Sequence, residues 1–165
     1  MNRFGDHHYE GHEILPTESL KKLARSVAKT GYRAAPNLGS VEYHLWRMMK
    51  SAGKRPSLDI YCWKHPDKPS LHLFVTKGAL NAMFFLKCAE AQREQVVRAI
   101  FAQAGVAPLQ DQVTGERGDE SRFLLFALPA TAAAAAHLVA EFFRKGYGLA
   151  ESAELEFKYR ERRAA

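Results

Sequence analysis

A chain of 165 residues that is 47% apolar, 11% aromatic and 25% charged has the makeup of one globular domain, long enough to bury roughly 70% of the surface its unfolded form exposes. Disordered, collagen-like and disulfide-stapled classes are excluded, the last because Cys62 and Cys88 are the only cysteines. The net charge of +6 is uneven: residues 1–55 carry ten Lys or Arg against five Asp or Glu, 56–110 six against four, and 111–165 eight against nine, so a polyanionic partner is admitted but not required.

The opening MNRFGDHHYEGHE has neither the basic start nor the apolar stretch of a secretion signal. The longest apolar run, about 14 residues at 123–136, is short of the ~20 that cross a bilayer. The expectation is a bacterial-type, cytoplasmic, soluble protein with no membrane partner. Residues 1–16, polar and rich in His and Gly, read as a flexible lead-in.

Thr17 can cap a helix in which Leu20, Leu23, Ala24, Val27 and Ala28 recur at three- and four-residue steps before Gly31. Ser40 can cap a second, with Val41, Leu45, Met48, Met49 and Ala52 inward, ended by Gly53 and Pro56. The two make a basic helical pair over 17–55.

The period then changes to two. Leu58, Ile60 and Cys62 alternate with Asp59, Tyr61 and Trp63, and Leu71, Leu73 and Val75 with His72, Phe74 and Thr76, which predicts an antiparallel hairpin turned by HPDKPS. Lys77-Gly78 turns the chain into a third strand over 82–88, whose MFFL centre is apolar on both faces and suits a central position. A helix over 90–104 stops at Gly105. The next stretch, AGVAPLQDQVTGERGDES, has no sustained period and reads as a long loop or a cover for the sheet. A fourth strand over 122–128 follows, then a helix opened by Pro129 and Thr131 and stopped at Gly146, and a half-exposed edge strand in which Leu155, Phe157 and Tyr159 alternate with Glu154, Glu156 and Lys158. Residues 161–165 are a charged tail.

Laying 83–105 over 124–146 matches six of 23 positions, among them Phe85 with Phe126, Phe101 with Phe142 and Gly105 with Gly146. If that is a repeat, two strand–helix units place their helices on the same side. The predicted fold is α+β in a single domain over 1–165: an N-terminal helical pair, then a five-stranded, mainly antiparallel sheet over 56–160 with two helices on one face.

Chemistry is sparsely signalled. Asp6, His7, His8, Glu10, His12 and Glu13 are potential ligands, but Gly5 and Gly11 oppose the helix that would align His8 with His12. Cys62, His65 and His72 surround a hairpin without a second ligand pair. No metal site and no cofactor is expected. His137, one helical turn before Glu141, is the candidate acid–base residue of an enzyme reading, although no nucleophile elbow, phosphate loop or dinucleotide fingerprint accompanies it.

The aromatic pattern says more. With the alternate residues of the first hairpin turned to the core, Tyr61, Trp63, His72 and Phe74 share the other face. Three covers are open to it: the N-terminal helices, a protein partner or second subunit, or stacked single-stranded nucleic acid. The basic pair loosely resembles a helix-turn-helix, with a connector too long for one, and makes Lys21, Lys22, Arg25 and Lys29 the phosphate-binding candidates of the nucleic-acid reading. The leading expectation is a non-catalytic, adaptor- or chaperone-like binding protein. Its partner, a protein or a second copy, would meet Tyr61, Trp63, His72 and Phe74 together with Trp46, Arg47 and Lys50 of the adjoining helix.

Overall fold

The computed structural model describes residues 36–161. The helix expected over 17–31, with Lys21, Lys22, Arg25 and Lys29, and the His-rich lead-in lie outside the described residues.

The hairpin alternation folds as read. Strands β1 (Pro56–Tyr61), β2 (Ser70–Thr76) and β3 (Ala79–Lys87) form an antiparallel meander. Lys77 and Gly78 both have positive φ, 50° and 77°, the pair of dihedrals that a two-residue type I′ hairpin turn requires. Helix α1 (Val41–Lys50) precedes β1, and α2 (Ala91–Gln103) follows β3. Strands β4 (Gln110–Thr114) and β5 (Ser121–Ala127) form a second hairpin, then α3 (Ala132–Tyr147) leads to β6 (Glu156–Glu161).

Among the described residues the sheet therefore has six strands and not five, all antiparallel, in the order β4-β5-β3-β2-β1-β6. The added strand is β4, inside the stretch expected to be a loop. Its residues are exposed at all five positions, so no apolar alternation marks it; pairing with β5 alone holds it extended.

Among the described residues, three helices and not two line one face. From α1, Val41, Leu45, Met48 and Met49 join the core with Leu58, Ile60, Leu71, Leu73 and Val75 of the hairpin, so the second of the two expected N-terminal helices is part of the helical layer. Phe101 of α2 stacks on Phe126 of β5 at 4.0 Å, and Phe142 of α3 meets Phe84 of β3 edge-on at 4.9 Å. Helix α3 contacts both α1 and α2, and its buried Ala132, Ala135, Ala136 and Ala140 permit the close approach. Thr131 caps it by accepting from the Ala134 N–H at 3.3 Å. It runs past the expected stop at Gly146: Gly148, at φ 67°, is the left-handed residue that ends it.

The strand–helix likeness of 83–105 and 124–146 holds at the level of order and helix side, but not residue by residue. Phe85 is exposed and its match, Phe126, is buried, so the two strands are out of phase by one residue and face opposite ways. None of the described helices is long and apolar enough to cross a membrane.

A half-buried titratable group lies in the helical layer. His44 of α1 stacks on Phe157 of β6 at 4.0 Å, and its Nδ1 has no hydrogen-bond partner among the described residues. Burial, and secondarily the Arg47 guanidinium, lower its pKa from 6.5 to about 4. Since the fold holds the neutral ring, its contribution is complete above the unfolded value of 6.5 and is lost as pH falls toward 4. His44→Phe is expected to remove about 2 kcal/mol of the destabilisation between pH 7 and 4.5, after allowance for partial exposure of the ring. Urea midpoints of both proteins at the two pH values measure it.

Candidate binding face

The face of the sheet turned away from the helices carries the alternate residues of each strand. Register sets its rows. Across the middle run Lys158, Asp59, His72, Met83, Leu125 and Gln110, strand by strand from β6 to β4. One flanking row holds Arg160, Ser57, Phe74 and Asn81; the other holds Glu156 beside Tyr61, and Phe85 beside Phe123. Among the described residues, all three helices pack against the opposite side.

The four aromatic residues expected on this face are there, and they form two stacked pairs. Tyr61 and Trp63 lie 4.8 Å apart with their planes 10° apart; His72 and Phe74 lie 5.7 Å apart at 27°. Trp63 sits just past the end of β1 and is 50% exposed. Its indole N–H donates to Glu156 Oε2 at 2.6 Å, and Lys158 Nζ lies 5.0 Å from the Tyr61 ring centre and 5.7 Å from that of Trp63. The stack is thus held from β6 by a hydrogen bond and by cation–π attraction. Beneath the second pair, Asp59 is nearly buried; His72 Nδ1 lies 2.5 Å from its Oδ1, and Arg160 reaches Oδ2 at 3.2 Å. These contacts fix the His72 ring, and with it Phe74.

Sequence reading missed the other half of the surface. Phe85 is 62% exposed and meets Phe123 edge-on at 5.2 Å, with Met83 and Leu125 half-buried beside them. The MFFL run suggested burial on both faces. The available signal was the register: a two-residue turn at Lys77-Gly78 pairs Thr76 with Ala79, which puts Met83 and Phe85 on the side of His72 and Phe74.

The expected basic rim is not on this face. Helix α1 lies on the other side of the sheet, so Trp46, Arg47 and Lys50 do not share a surface with Trp63 and Phe74. Arg47 instead covers the ring of Tyr159 at 4.3 Å, and Tyr159, opposite Leu58 in register, faces the helices. The cations that do border the aromatic face are each paired with a carboxylate. Lys158 is 3.4 Å from Glu156, Arg160 binds Asp59, Lys87 is 2.6 Å from Asp119, and Lys64 pairs with Glu154.

The remaining candidates are dispersed. Cys62 is buried in the core, while His72 lies on the opposite face of the sheet and His65 packs edge-on against Tyr147 at 5.9 Å. Among the described residues no group of three His, Cys, Asp or Glu is arranged to hold a metal. His137 is exposed on α3, and the carboxylate of Glu141 is taken by Lys145 at 2.5 Å and Arg144 at 3.2 Å, which hold it below the usual range. A hollow of about 410 Å³ opens at the C-terminal end of α2, lined by Arg98, Ala102, Gly105, Val106, Ala107, Pro108 and Phe126. Its single titratable side chain, Arg98, hydrogen-bonds Asp111 at 2.7 Å. No protein-family model matches the chain, and no curated protein matches it significantly.

Proposed function

We propose that this is a non-catalytic, chaperone-like binding protein whose sheet face opposite the described helices takes an apolar segment of a partner protein. The observation that carries the reading is the set of three aromatic pairs that share this face, the Tyr61–Trp63 and His72–Phe74 stacks and the Phe85–Phe123 pair, with Trp63 and Phe85 exposed. A folded chain gains by keeping such side chains from water, and a large exposed apolar patch marks a contact surface. Rigid stacked rings bury much area while losing little rotamer freedom on binding, which suits them as anchors.

Charge separates a protein partner from nucleic acid. Single-strand binding joins stacked bases to a positive groove that follows the phosphates. The cations around this face, Lys158, Arg160, Lys87 and Lys64, each have a carboxylate partner, which favours an apolar, uncharged peptide segment. The residues of the nucleic-acid reading, Lys21, Lys22, Arg25 and Lys29, lie outside the described part.

The test is light scattering by reductively unfolded insulin in the presence of the protein. The wild-type chain is expected to delay aggregation at stoichiometric ratios. The double variant Trp63→Ala/Phe85→Ala should lose most of that protection, on the order of tenfold in effective concentration, with an unchanged far-UV dichroism spectrum. Equal protection by both proteins, or none by the wild type, contradicts the reading.

A further inference from the structure

We propose that β4 is the edge through which two copies of this chain pair, joining their sheets into one continuous antiparallel sheet about a twofold axis. This surface is separate from the aromatic face and does not depend on its function.

The two edges of the sheet are built differently. Natural edges are commonly guarded by charges, Pro or bulges that discourage pairing. Strand β6 is guarded: Glu156, Lys158, Arg160 and Glu161 are four of its six residues. Strand β4, QDQVT, has no Lys and no Pro and is exposed at every position. Its one charge, Asp111, is turned toward α2, where Arg98 at 2.7 Å and Arg122 at 3.0 Å neutralise it; the Arg98 hydrogen bond, above all, holds that carboxyl below its usual range. Among the described residues, one row of backbone N–H and C=O groups along this outermost strand has no strand partner.

The chemistry of this strip favours a second copy over an unlike partner. Gln110 and Gln112 have side-chain amides that both donate and accept, and in an antiparallel pair centred on Asp111 each Gln110 lies opposite Gln112 of the other copy, so an identical strand offers both a match. On the other side of the strand, Leu109 and Val113 are 59% and 51% exposed and flank Asp111. Antiparallel pairing centred on Asp111 sets Leu109 of each copy against Val113 of the other. The two Asp111 carboxylates then lie among four guanidiniums, Arg98 and Arg122 from each copy. The 410 Å³ hollow adjoins Leu109 through Ala107 and Pro108, and provides an apolar floor for the incoming Val113. A five-residue strand pair with these apolar additions is a small interface, which implies a dissociation constant on the order of micromolar.

Sedimentation velocity of the full-length chain from about 1 to 100 µM, a range that brackets such a constant, tests this. The wild type is expected to move from monomer to dimer across the series, and Leu109→Lys/Val113→Lys to remain monomeric at the highest concentration. Both side chains already stand half in water, so the dichroism spectrum should not change. Trp63→Ala/Phe85→Ala should dimerise as the wild type does, which distinguishes failure of this interface from failure of the aromatic face. Amide exchange of residues 110–114 in the wild type, expected to slow as concentration rises, decides the matter should the lysine variant fail to fold. A wild-type monomer at about 100 µM, a dimeric lysine variant, loss of the dimer in the aromatic variant, or concentration-independent exchange in β4 overturns the proposal.

Discussion

Leu73→Lys is expected to leave no folded protein at 25 °C, whereas Phe74→Lys, one residue on, should fold and melt within a few degrees of the wild type. Leu73 is fully buried at the centre of the sheet, opposite Leu58 on β1 and Ala82 on β3. An ammonium group there would have no partner and would have to be neutralised or dragged toward water. That cost and the lost apolar burial come to roughly 5 kcal/mol or more, against a typical total stability of about 5–15 kcal/mol. Phe74 is half-buried on the face opposite the described helices and stacks on His72. A lysine there can lay its stem along the sheet and keep its charge in water, at a cost of roughly 1 kcal/mol. Soluble yield and thermal unfolding by circular dichroism measure the pair, and equal damage at both positions would mean that the second face is covered.

A second contrast concerns two phenylalanines. Phe126→Ala should cost about 3–5 kcal/mol and Phe85→Ala less than about 1 kcal/mol. Phe126 is stacked on Phe101 at 4.0 Å and lies 6.0 Å from Phe84, so its removal takes dispersion contacts from two neighbouring elements at once, α2 and β3. The side chain of Phe85 meets water on most of its surface and one ring, Phe123, at its edge. Urea midpoints at pH 7 report both values. Phe126→Ala should move the midpoint by more than about 1 M if the slope is near the 2 kcal/mol per molar typical of small proteins.

Much of this arrangement was legible in the residues, and the failures have physical causes. Period-two alternation in β1 and β2 named the buried set Leu58, Ile60, Leu71, Leu73 and Val75 and the aromatic set on the reverse side, because a half-buried strand has to alternate. Lys77-Gly78 was readable as a turn because few residues tolerate positive φ there. Strand β4 was not readable: it buries no side chain, and its extended form comes from backbone pairing with β5, which leaves no alternation in its own residues. Phe85 was hidden in a run apolar in both phases, where local pattern cannot separate a doubly buried strand from one with an aromatic exposed face. Trp46, Arg47 and Lys50 were grouped with Trp63 by nearness in sequence, yet α1 and the aromatic row lie on opposite sides of β1. The helix expected over 17–31 falls outside the described residues. Gly146 was taken as the end of α3, but its φ is helical, and the left-handed residue is Gly148, two positions later.

Methionines give the most direct test of the aromatic face, because Met83 sits at its centre, between His72 and Leu125, while Met48 and Met49 are buried beneath α1 on the other side of the sheet. In a protein carrying ¹³C-labelled methionine methyl groups, addition of reductively unfolded insulin should shift or broaden the Met83 signal and leave those of Met48 and Met49 in place. An unmoved Met83 signal under conditions where binding is measured, or changes confined to Met48 and Met49, would contradict a binding surface on the aromatic face.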